Sequence, residues 1–205
     1  MIRQIIRELK EHSRFTFFGA MTGIVIMAIF HNLSYRVSYA IFYTLHPAHV
    51  VLSALVTASM YDIYKRKESK SRYKIWKLLI VGYVGSVAVA TLSDSVIPYI
   101  GEVMLGMPNR GIHIGFIEKW WLVNPLAIIG IAIAYIRPTT KFSHAGHVLL
   151  STWASLFHIM MAIDWQHSGW LFYMAILFFL FIAVWIPCCV SDIVFPLLFV
   201  KEVKK

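Results

Sequence analysis

Residues 46–53 read HPAHVVLS and residues 144–151 read HAGHVLLS. The two stretches agree at five of eight positions and stand 98 residues apart. A second pair repeats that offset. Residues 93–98 read SDSVIP and residues 191–196 read SDIVFP, in agreement at four of six positions. The shared residues include His, Ser, Asp and Pro as well as Leu and Val, so an apolar composition alone does not produce them. The chain reads as a tandem duplication.

Around these stretches lie six apolar segments, at about Phe15–Ser34, His46–Tyr64, Leu78–Ile100, Trp120–Ile136, His144–Ile163 and Trp170–Val200. Each approaches or exceeds the roughly 20 apolar residues that a bilayer requires of a helix. The last is longer than needed, and Pro187 is a candidate kink within it. The first is too long for a signal-peptide core and lacks a small-residue cleavage site, so it reads as a retained span. Each copy of the repeat therefore contains three spans, with the matching residues on its second and third. An odd number of spans turns the second copy upside down in the membrane, an inverted-topology repeat.

Charge supports the same topology. The chain has 19 Lys and Arg against 10 Asp and Glu, a net charge of +9. Sixteen of the 19 fall in the N-terminal tail (Arg3 to Arg14), the loop Lys65–Lys77, the loop Arg137–Lys141 and the tail Lys201–Lys205. Only Arg36, Arg110 and Lys119 belong to the opposite side. By the positive-inside rule the basic side is cytoplasmic, with both termini in. Trp120, Trp121, Trp165 and Trp170 mark the outer boundary as an aromatic belt. The expected organisation is a basic tail over 1–14, a first three-helix repeat over 15–100, an outer loop over 101–119, a second repeat over 120–200 and a cytoplasmic tail over 201–205. Tyr35–Leu45 is expected outside the membrane.

Composition agrees with an all-α integral membrane protein: 59% of residues are hydrophobic, 14% are charged, and mean hydropathy is +0.69. A soluble surface of this size needs more charge. No aromatic-and-basic pattern reads nucleic-acid bases. The expected setting is a bacterial or archaeal cytoplasmic membrane. The expected partners are the bilayer, a metal ion and a second copy of the chain in a homodimer.

The duplicated polar residues carry the functional expectation. His46 and His49 share one helix face, and Asp94, on the next span, reaches the same depth. His144, His147 and Asp192 repeat the set near the other membrane face. Two imidazoles and a carboxylate suit a borderline divalent cation, zinc first. A polar stripe continues along the helices through Ser53 and Thr57 in one half, and through Ser151, Ser155 and His158 in the other. Cys188 and Cys189 lie on the Asp192 face as further candidate ligands. Each feature also has an ordinary reading. Histidines at helix ends bond backbone or water, Ser and Thr glue helices together, and buried cysteines act as small apolar groups. Asp94 could serve the backbone freed by Pro98. His31, His113, His158, His167, Glu102, Glu118 and Asp164 read singly as interfacial residues.

The sequence therefore points first to a transporter or channel-like permease for a divalent metal cation, with a His/His/Asp site near each face. A membrane-embedded metal-dependent enzyme acting on a lipid or small apolar substrate comes second, since an open metal position could activate water. A haem-binding electron carrier comes third. An enzyme is disfavoured because no further general base stands beside either site.

Overall fold

We describe a computed structural model of the chain, for residues 2–68, 75–139, 141–164 and 169–199. Residues 69–74 of the basic loop and the C-terminal tail lie outside these residues. Among the described residues the chain is all-helical: α1 (Ile2–Ile29), α2 (Tyr35–Glu68), α3 (Ile75–Thr91), α4 (Ile97–Met104), α5 (Gly115–Glu118), α6 (Trp120–Ile136), α7 (Lys141–Ala162), α8 (Trp170–Cys189) and α9 (Phe195–Leu198). Two five-residue π-helical turns, Leu92–Val96 and Val190–Val194, join α3 to α4 and α8 to α9.

Among the described residues, five segments are long and apolar enough to cross a membrane, at His12–Ile29, Tyr35–Arg66, Ile75–Met104, Ala145–Ala162 and Trp170–Cys189. Trp120–Ile136 is apolar but shorter, at 17 residues. The surface of these helices is apolar. Phe15, Phe17 and Phe18 of α1 and Trp170, Leu171 and Phe178 of α8 all point outward. The interior holds polar side chains instead, including His46, His49, Asp94, His147, Ser151 and His158. In water an apolar surface of this extent would drive association. Against lipid it is the ordinary exterior of a membrane bundle.

Two boundaries differ from the sequence expectation. Tyr35–Leu45 is the first three turns of α2, not a separate outer piece, and the helix runs through Pro47 unbroken. His46-Pro47 reads as a helix start because proline suits the first turn, yet here it lies well inside. The expected outer loop is also partly helical, since α4 continues to Met104 and α5 occupies Gly115–Glu118.

α2 and α7 form the centre and run antiparallel. Phe42 of α2 meets His158 of α7, His49 meets His147, and Leu52 lies against Gly146, so numbers rise on one helix as they fall on the other. Glycines admit the flanking helices. A β-carbon at Gly130 of α6 would strike the Val51 carbonyl oxygen of α2. One at Gly19 of α1 would sit 2.9 Å from Thr152 Oγ1 of α7.

The π-turns fall on the repeated Ser-Asp motifs and begin 98 residues apart, at Leu92 and Val190. In each, the amide after the turn reaches back five residues, from Ile97 to the Leu92 carbonyl and from Phe195 to the Val190 carbonyl. Pro98 and Pro196 follow directly. Proline has no N–H to give the carbonyl four residues back, and its ring crowds that carbonyl. Widening the turn by one residue relieves the conflict and re-aims the aspartate.

α4 ends in a Schellman motif. Gly106, at φ +64°, donates to the Val103 carbonyl, and Met107 donates to the Glu102 carbonyl. The reversal lays residues 107–114 back over the end of α7, where the Asn109 amide bonds the Ala162 carbonyl.

Candidate functional site

The first π-turn aims Asp94 into the interface of α2 and α7. His46 Nδ1 lies 2.9 Å and His49 Nδ1 2.7 Å from Asp94 Oδ2. The other carboxylate oxygen, Oδ1, accepts from Ser93 Oγ and from Ser151 Oγ, each at 2.7 Å. His46, His49, Asp94, Ser93 and Ser151 are all buried. Asp94 thus takes four side-chain hydrogen bonds, which offset the cost of burying a carboxylate. Its carboxylate does not serve backbone groups near Pro98.

This geometry fixes the imidazoles. A neutral histidine has one N–H and one lone pair. With Nδ1–H donated to Asp94, the lone pair falls on Nε2. A carboxylate behind an imidazole is the usual outer partner of a histidine ligand. Asp94 therefore orients the two rings and is itself saturated. His49 Nε2 is buried and has no hydrogen-bond partner among the described residues. His46 Nε2 rests against Gly115 of α5, where an added β-carbon would overlap the ring.

Of the second set, His147 is the member whose side chain is described, and it lies beside the first set. The His147 ring lies parallel to that of His49, with centroids 5.8 Å apart and planes 13° from parallel. His147 also neighbours His12, at 6.4 Å between centroids. The sequence expectation of a basic tail over 1–14 places His12 before the membrane. It is buried in α1 at the start of an apolar span. The side chains of His144 and Asp192 lie outside the described residues. Among the described residues, no three His, Cys, Asp or Glu side chains converge as a ready-made metal cluster.

The polar stripes divide by role. Thr57 Oγ1 is 3.0 Å from Ser191 Oγ, which donates to the Gly85 carbonyl. Ser155 Oγ bonds the Ser93 and Ser151 carbonyls. These hydroxyls join helices to π-turns across the centre. Ser53 Oγ is buried with no partner among the described residues. Cys188 and Cys189 are buried and form no disulfide, and Cys188 packs with Val148, Ala183 and Val184.

Sequence reasoning passed over a further buried pair. His158 Nδ1 lies 2.7 Å from Glu102 Oε1, and both residues are only 1% exposed. Glu102 Oε2 accepts from the Gly111 amide at 3.2 Å. The available signal was the i, i+4 and i, i+3 continuation of the α7 stripe to His158. Glu102 gave none, because its loop was expected to be solvated.

Comparison with known proteins finds no match: no family model, no curated protein and no solved structure is similar to the chain.

Proposed function

We propose that the protein is a membrane permease for a zinc-like divalent cation, built as six spans in two inverted three-helix halves with both termini in the cytoplasm. Support for the inversion comes from correspondences at one offset. The π-turns match at 98 residues. The bond of Thr57 to Ser191 in one half corresponds to that of Ser155 to Ser93 in the other. His49 and His147 are counterparts at the same offset, and they meet ring to ring.

The observation that carries the reading is the His49 ring. Asp94 holds its Nδ1, and its Nε2 lone pair is left buried, without a partner among the described residues, beside its own counterpart. Leaving a buried polar atom unbonded costs about 1–3 kcal/mol, and a cation accepting that lone pair relieves the cost. Imidazole donors favour zinc and its neighbours over harder ions. The transport site is then a single central one shared by both halves, with alternating access by rocking of one half against the other.

Zinc uptake into proteoliposomes containing a trapped fluorescent indicator tests this. The wild-type protein should admit zinc. His49→Ala and His147→Ala should each slow the initial rate at least tenfold, and Asp94→Asn, which misdirects both rings, should do the same. A protein passing none of zinc, iron, manganese, cobalt or nickel above empty vesicles overturns the proposal.

A further inference from the structure

His158 and Glu102 break the repeat. At the offset of 98 their counterparts are Met60 and Val200. The duplicated positions thus carry no imidazole–carboxylate pair in the other copy, so the repeat itself does not call for one. Burying such a pair is costly unless it is well bonded. Here the Glu102 oxygens are satisfied by His158 and the Gly111 amide. His158 Nε2, however, is buried with no partner among the described residues. This is the same arrangement as at His49: carboxylate on Nδ1, lone pair on Nε2.

A second imidazole stands beside it. The His113 ring centroid is 5.5 Å from that of His158, at 66° between planes. Two imidazoles sharing a tetrahedral zinc through bonds of about 2.0–2.1 Å place their ring centres roughly 5–6 Å apart. His113 is loosely held. Its Nδ1 is 3.4 Å from Glu118 Oε2 and its Nε2 is 3.4 Å from Tyr35 Oη, both longer than ordinary hydrogen bonds. Glu118 is fixed by the Tyr43 hydroxyl and the Ile114 amide. Exposure grades from buried His158 to 17% for the His113 side chain and 35% for Glu118, so the cluster opens toward the surface. The buried Phe42 ring separates it from the central site, with centroids 5.3 Å from both His158 and His46.

We infer that His158 and His113, backed by Glu102 and Glu118, form a second divalent-cation site where the 107–114 segment covers the end of α7, distinct from the central histidines. Binding there needs no transport, so it stands or falls separately from the permease reading.

Zinc titration calorimetry on the purified full chain in detergent, with metal content measured after gel filtration, tests the inference. His113→Ala changes a partly exposed side chain and leaves the packing in place, which a thermal melt confirms. His158→Gln removes the inner imidazole and keeps its bulk. Each should lose one zinc equivalent relative to wild type, while His49→Ala loses a different one and retains this site. Unchanged stoichiometry and affinity in both His113→Ala and His158→Gln overturns the inference, whatever the flux assay gives. Loss of an equivalent in these two variants, together with absence of flux in wild-type proteoliposomes, upholds this site and removes the permease reading.

Discussion

A methyl group added at Gly115 would overlap the His46 ring. The neighbour is a buried imidazole held to Asp94 and stacked on Phe42 at 5.3 Å, so it has little room to yield. Overpacking of this kind costs about 1–3 kcal/mol. Gly115→Ala should therefore lower the detergent melting temperature and loosen His46 from Asp94, visible as a changed Nδ1 shift in histidine nitrogen NMR. Zinc uptake should fall with it. An unshifted His46 resonance would show that α5 moves aside instead. At the scale of single residues, His46, His49 and Asp94 were legible because duplication doubled their signal, and helical spacing put both imidazoles on one face. Their chemistry was less legible. Asp94 appeared as a ligand, but only coordinates reveal that four donors already occupy it.

The π-turn is the element on which this geometry depends. Pro98 deprives the Asp94 carbonyl of its usual partner, and the chain answers by admitting one extra residue to the turn. Pro98→Ala restores the missing N–H and allows a regular helix. Closing the turn by one residue would rotate Asp94 about 100° around the axis, away from His46 and His49. The variant should be as stable as wild type or more so, while its zinc uptake drops at least tenfold. Uptake at the wild-type rate would mean that Asp94 reaches the histidines from a regular helix too. The Ser-Asp-x-Val-x-Pro pattern announced that something recurred here, but its backbone form was hidden. Hydrophobic periodicity cannot separate a π-turn from the α-helix around it. The same limit misplaced the start of α2, where Pro47 looks like a first-turn proline and lies inside a continuous helix.

Across the whole molecule, the all-helical, membrane-spanning character was the most legible level, because lipid demands long apolar runs. The proposed topology predicts labelling. Single cysteines at Lys65 and Pro138 should react with a membrane-impermeant maleimide only from the cytoplasmic side, and one at Asn109 only from the opposite side. Modification of all three from one side would refute the inverted arrangement. What the sequence concealed at this scale is how near His49 and His147 lie. Helix-end histidines suggested two sites a membrane apart, and depth along a helix was inferred from a start that was eleven residues late. The antiparallel crossing of α2 and α7 instead brings His49 to His147.

The meeting of those two rings has a consequence for direction. Under the proposed symmetry His49 and His147 offer an ion equivalent donors whichever way it arrived, so these two rings by themselves do not favour import over export. Any preference must come from something present on one side only. If the protein conducts the ion as proposed, His158 and Glu102 are such a feature: they would give one approach a basin that the other lacks, and would make the permease a rectifier in its kinetics while its equilibrium still follows the gradient.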